Sequence, residues 1–227
     1  MTTLEHADAA PDASTLNAAL AGIRSLLAAV LGGAVSGLLV GGVIGRLGMR
    51  LIAVTSPDIA QSRLTDDGAR VGAFTLSGSL SLAIALAVGT GLVVGPIYLI
   101  ARRALPSSRA GRVGGFALLT GSVGGALFVH DHPSFDYSIL APAWLAVTIF
   151  LLVPALAGAT TALLTELIAS PPRPRFPGAW AARWRGPVVT RAARVLFWGV
   201  VAWGVYNVGV DVWSLATDHA SRAPFTV

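Results

Sequence analysis

LLAAVLGGAVSGLLVGGVIG, residues 26–45, is the stretch that decides the fold, because it is long, apolar and without a charged side chain. A hydrocarbon core about 30 Å thick takes about 20 helical residues, so this stretch predicts a membrane-spanning helix. Four further apolar blocks predict spans at 76–101, 113–129, 141–168 and 192–216. Helices are expected because backbone groups in lipid must be satisfied within the segment, and the alternation of a membrane barrel is absent.

The composition agrees with a chain that lies in a bilayer. Apolar residues make up 54% of the 227 positions and charged residues only 12%, whereas a soluble domain carries roughly 25% charged residues. The chain has no Cys, which excludes disulfides and thiolate metal sites. We therefore predict an all-α integral membrane bundle of about five transmembrane helices. The first block follows an acidic stretch, so we expect an uncleaved span.

The distribution of Arg predicts the orientation of the bundle. Segments 102–112 and 170–191 are rich in Arg, whereas segment 130–140 is acidic and contains none. By the positive-inside rule the N-terminus is cytoplasmic and the C-terminus external, with eleven Arg inside and five outside. Because the Arg residues stand in short runs between apolar blocks, they favour topology and anionic lipid as their explanation, and we expect no nucleic-acid partner.

These spans divide the chain into four regions. Residues 1–24 form a cytoplasmic N-terminal segment, and residues 25–169 form a four-helix membrane region with an external loop at 46–75. Residues 170–191 form a cytoplasmic linker rich in Pro, Arg and Trp, a composition that suits the headgroup layer. Residues 192–227 contain the fifth transmembrane helix and an external tail.

The first span carries four glycines at a strict spacing of four. Gly33, Gly37, Gly41 and Gly45 place a smooth groove along one helix face, which lets another backbone approach closely. The pattern predicts tight helix packing. The partner is either another helix of this chain or a helix of a second copy or of another membrane subunit.

Charged residues near the predicted outer side form a candidate binding cluster. Arg46 and Arg50 are one helical turn apart and share a face if the first helix continues past Gly45. The anionic residues that could pair with them are Asp66, Asp67 and Asp136. One interpretation is structural, with Arg–Asp pairs that fix the loop over the bundle. The other is an external pocket for an anionic group, with the two Arg as fork-shaped donors.

His130 and His132 suggest a metal site beside Asp131, but their spacing is poor and no third ligand stands at a helical offset. A solvated turn explains them better. Phosphate-cradling, zincin and nucleophile-elbow motifs are absent, so we expect no cofactor and favour a chain that is not an enzyme. Glu166 and Asp211, near the ends of the fourth and fifth spans, are further candidate polar sites.

Three segments, GRLGMRLIAVTSPD, TDDGARVGAFTLSGSLSL and DYSILAPAWLAVTIFLLVPALAG, resemble an uncharacterised family of polytopic membrane proteins of high-GC actinobacteria. The resemblance covers about residues 41–158 and brings no known activity. It implies a bacterial plasma membrane as the location. Its pattern is matched by Arg46, Arg50, Asp66, Asp67, Gly68 and Asp136, whereas HDHPS at 130–134 departs from it.

Three classes of function follow from these observations. A non-enzymatic packing or interaction subunit is favoured by the glycine faces. A small transporter or channel is favoured by the external Arg/Asp cluster and by Pro96 and Pro154 inside predicted spans. An enzyme that works at the outer leaflet is the third class.

Overall fold

The computed structural model describes residues 13–57, 75–129, 142–169 and 187–221. Within those ranges the chain forms five helices and no strand. Helix α1 covers residues 13–55 and is continuous through Ala13–Ser36, a wider π-helical stretch Gly37–Ile44, and Gly45–Thr55. The other four helices are α2 (Leu76–Ala101), α3 (Arg109–Phe128), α4 (Ala143–Ile168) and α5 (Pro187–Ser221).

The prediction of an all-α membrane bundle is confirmed. Four of the five helices are long and apolar enough to cross a membrane, in α1, α2, α4 and α5. Helix α3 is not among them, because Arg109, Arg112 and several glycines dilute its apolar character. It packs between α4 and α5, so it needs less apolar surface than a helix that faces lipid.

Several helix boundaries differ from those expected. Helix α1 begins at Ala13, inside the predicted N-terminal segment 1–24, because its helix extends well before the apolar block at 26–45. Helix α1 does not end where the external loop at 46–75 was predicted to begin; it continues to Thr55 and stops at Ser56, whose extended backbone precedes Pro57. Helix α5 begins at Pro187, inside the predicted linker at 170–191. The 40-residue apolar helix Leu16–Thr55 measures about 60 Å at 1.5 Å per residue, so it is longer than the hydrocarbon core is thick.

The outer surface of the bundle is apolar along the long helices. Large hydrophobic side chains are exposed on α1, α2, α4 and α5, among them Leu80, Leu92 and Leu152 at 59%, 63% and 52%. Water-soluble monomers expose only limited contiguous apolar patches. A surface of this kind is stable against lipid, which agrees with the bilayer as the solvent.

The helices pack in the order α2, α1, α4, α3, α5, and the bundle has two chemically different ends. Seven Arg share one end with a single described carboxylate, Glu166. This Arg-rich end holds the N-terminal parts of α1, α3 and α5 and the C-terminal parts of α2 and α4, and its Arg are Arg24, Arg102, Arg103, Arg109, Arg112, Arg191 and Arg194. The opposite end carries Arg46, Arg50, Asp211 and Asp218 among the described residues. An apolar cluster of Ile52, Val129 and Ala146 lies at the same end.

Candidate functional site

The glycine repeat of α1 is divided between two neighbours. A Cβ on Gly33 would stand 2.5 Å from the Thr90 carbonyl of α2, and a Cβ on Gly37 would overlap the Leu86 carbonyl. A Cβ on Gly41 would stand 2.8 Å from the nearest carbon of the Leu86 side chain. Gly45 is different, since a Cβ there would have its nearest neighbours at 3.7 and 3.9 Å, an ordinary contact distance. Gly33 and Gly37 therefore make backbone-to-backbone contacts with α2 of the same chain, and Gly41 packs against a side chain of that helix.

Helix α2 contributes two glycines to the same contact. A Cβ on Gly95 would overlap the Ala29 carbonyl, and one on Gly91 would stand 3.0 Å from the Val30 carbonyl. The contact is reciprocal, with carbonyls of each helix lying on glycines of the other, a geometry that favours weak Cα–H···O bonds. Helix α2 contains a short π-helical stretch, Thr90–Val94, just before Pro96. Pro96 has no N–H to continue the regular ladder, which explains why the helix widens there.

The opposite face of α1 packs on α4 through small and hydroxylated side chains. The Ser36 hydroxyl, fully buried, donates to the Ala157 carbonyl of α4 at 2.7 Å. Gly32 lies against Thr165, whose hydroxyl would be 3.0 Å from a Cβ there. That hydroxyl is buried and has no hydrogen-bond partner among the described residues. It is therefore an unsatisfied polar atom next to the helix contact.

A cluster of three polar side chains joins α2, α3 and α4 at the Arg-rich end. Arg112 binds the Glu166 carboxylate through two nitrogens, with Nε 3.1 Å from Oε1 and Nη2 2.8 Å from Oε2. The hydroxyl of Tyr98 donates to the same Oε1 at 2.7 Å. Tyr98 is fully buried, whereas the side chains of Arg112 and Glu166 are 22% and 19% exposed. We call these three residues the Glu166 cluster.

Packing holds the Glu166 cluster in place. The rings of Tyr98 and Phe116 meet edge to face, with centroids 5.0 Å apart. Buried Leu105, Ala162 and Phe197 complete an apolar cluster around them, to which four helices contribute. The ion pair between Arg112 and Glu166 thus lies at one end of a well-packed apolar region, and the polar groups of the cluster form hydrogen bonds with each other. Its chemistry is that of a structural contact rather than an open site.

The predicted external cluster is only partly described. Arg46 and Arg50 lie on the last part of α1, one turn apart on a continuous helix. Asp66, Asp67, Asp136, His130 and His132 lie outside the described residues, so the anionic half of the cluster and the metal hypothesis stay predictions. The Nε of Arg46 is buried without a hydrogen-bond partner in the described part of the chain. Its Nη2 is 3.4 Å from where a Cβ on Gly78 would stand, beside the first turn of α2.

Helix α5 presents an outer face without partners in the bundle. Phe197, Val201 and Gly204 form its inner face, and Gly204 lies directly on the Ser122 backbone of α3. On the outer side, a Cβ at Gly199 or Gly209 would meet nothing within 4 Å. Exposed residues near these two glycines on the outer side are Ala202, Tyr206, at 71%, and Trp213, at 73%.

Comparison with protein-family models, with curated proteins and with solved structures finds no match to this chain. The resemblance to the actinobacterial family therefore stays a prediction. The helices themselves define the class: an all-α membrane protein.

Proposed function

We propose that this chain is a multi-pass, non-catalytic subunit of the bacterial plasma membrane that binds a second membrane-embedded helix through the outer face of α5. The observation that carries the proposal is the open space at Gly199 and Gly209. A glycine within a helix lowers its stability by about 1 kcal/mol relative to Ala unless close packing compensates. In bilayers, small residues on a helix face let a second helix approach closely. Such packing would compensate for the helix stability that these two glycines cost.

The neighbouring residues support the same interpretation. Ala202 continues the small surface between the glycines, and Tyr206 and Trp213 supply large, exposed rings beside it. Alternation of small and large side chains lets a partner helix interlock with the face. Helix α5 also packs chiefly on α3, so most of its circumference is available to lipid or to a partner.

The test replaces both glycines by Leu, G199L/G209L, which fills the face without touching the bundle. The matched control is Gly89→Leu, because Gly89 on α2 is equally open, with nothing within 4 Å. We expect G199L/G209L to lose association in lipid discs, measured by native mass spectrometry, with an unchanged unfolding midpoint. The control should associate like the wild type.

A Cys at Ala202 identifies the partner, since the chain has no other Cys. A thiol-reactive photo-cross-linker attached to A202C should, on illumination in native membranes, join the chain either to a second copy or to another protein, and mass spectrometry of the product tells the two apart. A Cys at Leu92, on the exposed side of α2, serves as the reference. Equal cross-linking at both positions, or a monomer in every condition, would exclude the proposal.

A second candidate is a small transporter or channel with an anion site at Arg46. The observation that favours it is the buried, unpartnered Nε of Arg46 among the described residues. The guanidinium lies beside the first turn of α2, where the partial positive charge of a helix start also favours an anion. A negatively charged solute would satisfy both groups.

Paired substitutions separate the anion site from a structural Arg–Asp contact. If Arg46 binds a solute, Arg46→Lys weakens uptake of labelled sulfate or phosphate by proteoliposomes, and D66N/D67N, which removes a competing charge, strengthens it. If the Arg pairs with the loop, both changes lower the unfolding midpoint and no uptake is seen. The second outcome removes this candidate.

A further inference from the structure

The turn between α2 and α3, residues 102–108, is held in one shape by contacts on both sides. The N–H of Arg102 donates to the Tyr98 carbonyl at 2.8 Å, and that of Ala104 to the Ala101 carbonyl at 2.8 Å. Ala104 and Leu105 are buried in the apolar cluster of the Arg-rich end, at 6% and 4% exposure. The first half of the turn therefore cannot move without opening that cluster.

The second half of the turn is fixed to α3. Ser108 accepts a hydrogen bond from the Gly111 N–H at 3.1 Å, a regular N-cap for the helix. The Arg112 Nη1 donates to the Ser107 carbonyl, so the guanidinium that binds Glu166 also holds the turn. Because Glu166 and Ser107 occupy Arg112, that residue has little capacity left for a ligand.

The remaining Arg of the turn have different surroundings. Arg103 and Arg109 are exposed and Arg102 is half-buried. The side chains of the three make no hydrogen bond or ion pair with a described residue. Ionised carboxylates are scarce nearby, since Glu166 is the one described carboxylate at this end and Arg112 neutralises it. Arg103 and Arg109 thus extend from a fixed backbone with no counter-charge among the described residues, whereas Arg102 lies within the electrostatic reach of Glu166.

The position of the turn indicates which anion it can bind. It links the end of α2, which is apolar enough to span a membrane, to the start of α3, so it lies where the hydrocarbon region gives way to headgroups. Guanidinium forks match phosphate oxygens in pairs, and a prearranged fork loses little conformational freedom on binding.

We propose that Arg102, Arg103 and Arg109 form a binding site for the phosphate of an anionic phospholipid. This site is independent of the α5 face, and neither proposal requires the other. Each Arg at an anionic membrane surface contributes about 1 kcal/mol, which is about a fivefold change in lipid affinity. Removal of two therefore lowers the affinity roughly 25-fold.

The experiment uses the full chain in lipid discs that contain phosphatidylglycerol and phosphatidylcholine in equal amounts. Native mass spectrometry counts the phosphatidylglycerol molecules that stay bound after release. We expect wild-type protein to retain phosphatidylglycerol in preference to phosphatidylcholine and R103Q/R109Q to lose that preference. R103K/R109K should keep part of it, because charge remains while the fork is lost.

Two controls locate the site. Arg50→Gln removes an exposed Arg at the opposite end, and R191Q/R194Q removes two exposed Arg of α5 at the same end. Both should retain phosphatidylglycerol like the wild type. Equal loss in R191Q/R194Q and R103Q/R109Q would overturn the proposal, because it would show a general charge effect.

Inorganic phosphate distinguishes a lipid site from a site for a soluble anion. Addition of phosphate at millimolar concentration should displace little phosphatidylglycerol, since the acyl chains keep the lipid at the surface. Complete displacement, or binding of phosphate with no lipid preference, would contradict the lipid assignment. The unfolding midpoint of R103Q/R109Q should equal that of the wild type, because the Glu166 cluster is left intact.

Discussion

The buried hydroxyl of Thr165 illustrates how a single unsatisfied atom affects stability. It has no hydrogen-bond partner among the described residues, whereas the neighbouring Thr161 hydroxyl donates to the Ala157 carbonyl at 2.7 Å. Thr165→Val keeps the shape and removes the unsatisfied group, so it should raise the free energy of unfolding by about 1 kcal/mol. Thr161→Val, the matched control, should lower it by about 1 kcal/mol. Denaturant unfolding in detergent measures both, and equal losses would show that the Thr165 hydroxyl has a partner.

The Glu166 cluster predicts strong coupling between residues distant in sequence. Glu166→Gln should lower the free energy of unfolding by about 2 kcal/mol, because it weakens two charge-assisted bonds from Arg112. Arg112→Gln should lower it by a similar amount, and the double variant by much less than the sum. A double-mutant cycle measures this coupling. Fully additive losses would mean that the two residues do not act as a unit.

At this scale the sequence identified one member of the cluster and missed its partners. Glu166 stands out because a carboxylate near the end of an apolar helix is expensive unless paired. Arg112 and Tyr98 are 54 and 68 positions away, and nothing in the local pattern singles them out from the other Arg and Tyr residues. Their roles follow from helix packing, which spacing along the chain does not encode.

At the scale of the helix, the glycine repeat predicts two opposite effects from the same substitution. Gly37→Ala places a methyl group on the Leu86 carbonyl of α2 and should lower the free energy of unfolding by at least about 2 kcal/mol. Gly45→Ala has room for its methyl group and should be neutral or stabilising by up to about 1 kcal/mol. Thermal unfolding in detergent compares the two variants. Similar losses at both positions would contradict the packing of α1 on α2.

The helix ends show what the hydropathy pattern can and cannot predict. Helix α2 covers the predicted range, 76–101, because its apolar block and its helix end at the same residues. Helix α1 continues past Gly45 because hydropathy marks the edge of the hydrocarbon region, whereas the helix ends only where Ser56 becomes extended before Pro57. Helix α5 begins earlier than expected, at Pro187, since Pro suits the first position of a helix even in a Pro-rich stretch.

Over the whole molecule, the two ends differ in charge in the direction that the positive-inside rule requires for an internal N-terminus. Seven Arg and one Glu lie at one end of the described helices, against two Arg and two Asp at the other. The orientation itself stays a prediction. It is the central claim, because the lipid site at the turn 102–108 and the anion site at Arg46 are assigned to opposite sides of the membrane.

Single Cys labelling tests that claim most directly, because the chain has no Cys of its own. The positions are Ser77 at the start of α2, Ser107 in the α2–α3 turn and Thr217 near the end of α5, all exposed. With a membrane-impermeant thiol reagent, S107C should label only from the cytoplasmic side, and S77C and T217C only from outside. Labelling of S107C and T217C from the same side would mean that α3, α4 and α5 do not all cross the membrane, and reversal of all three sides would contradict the orientation.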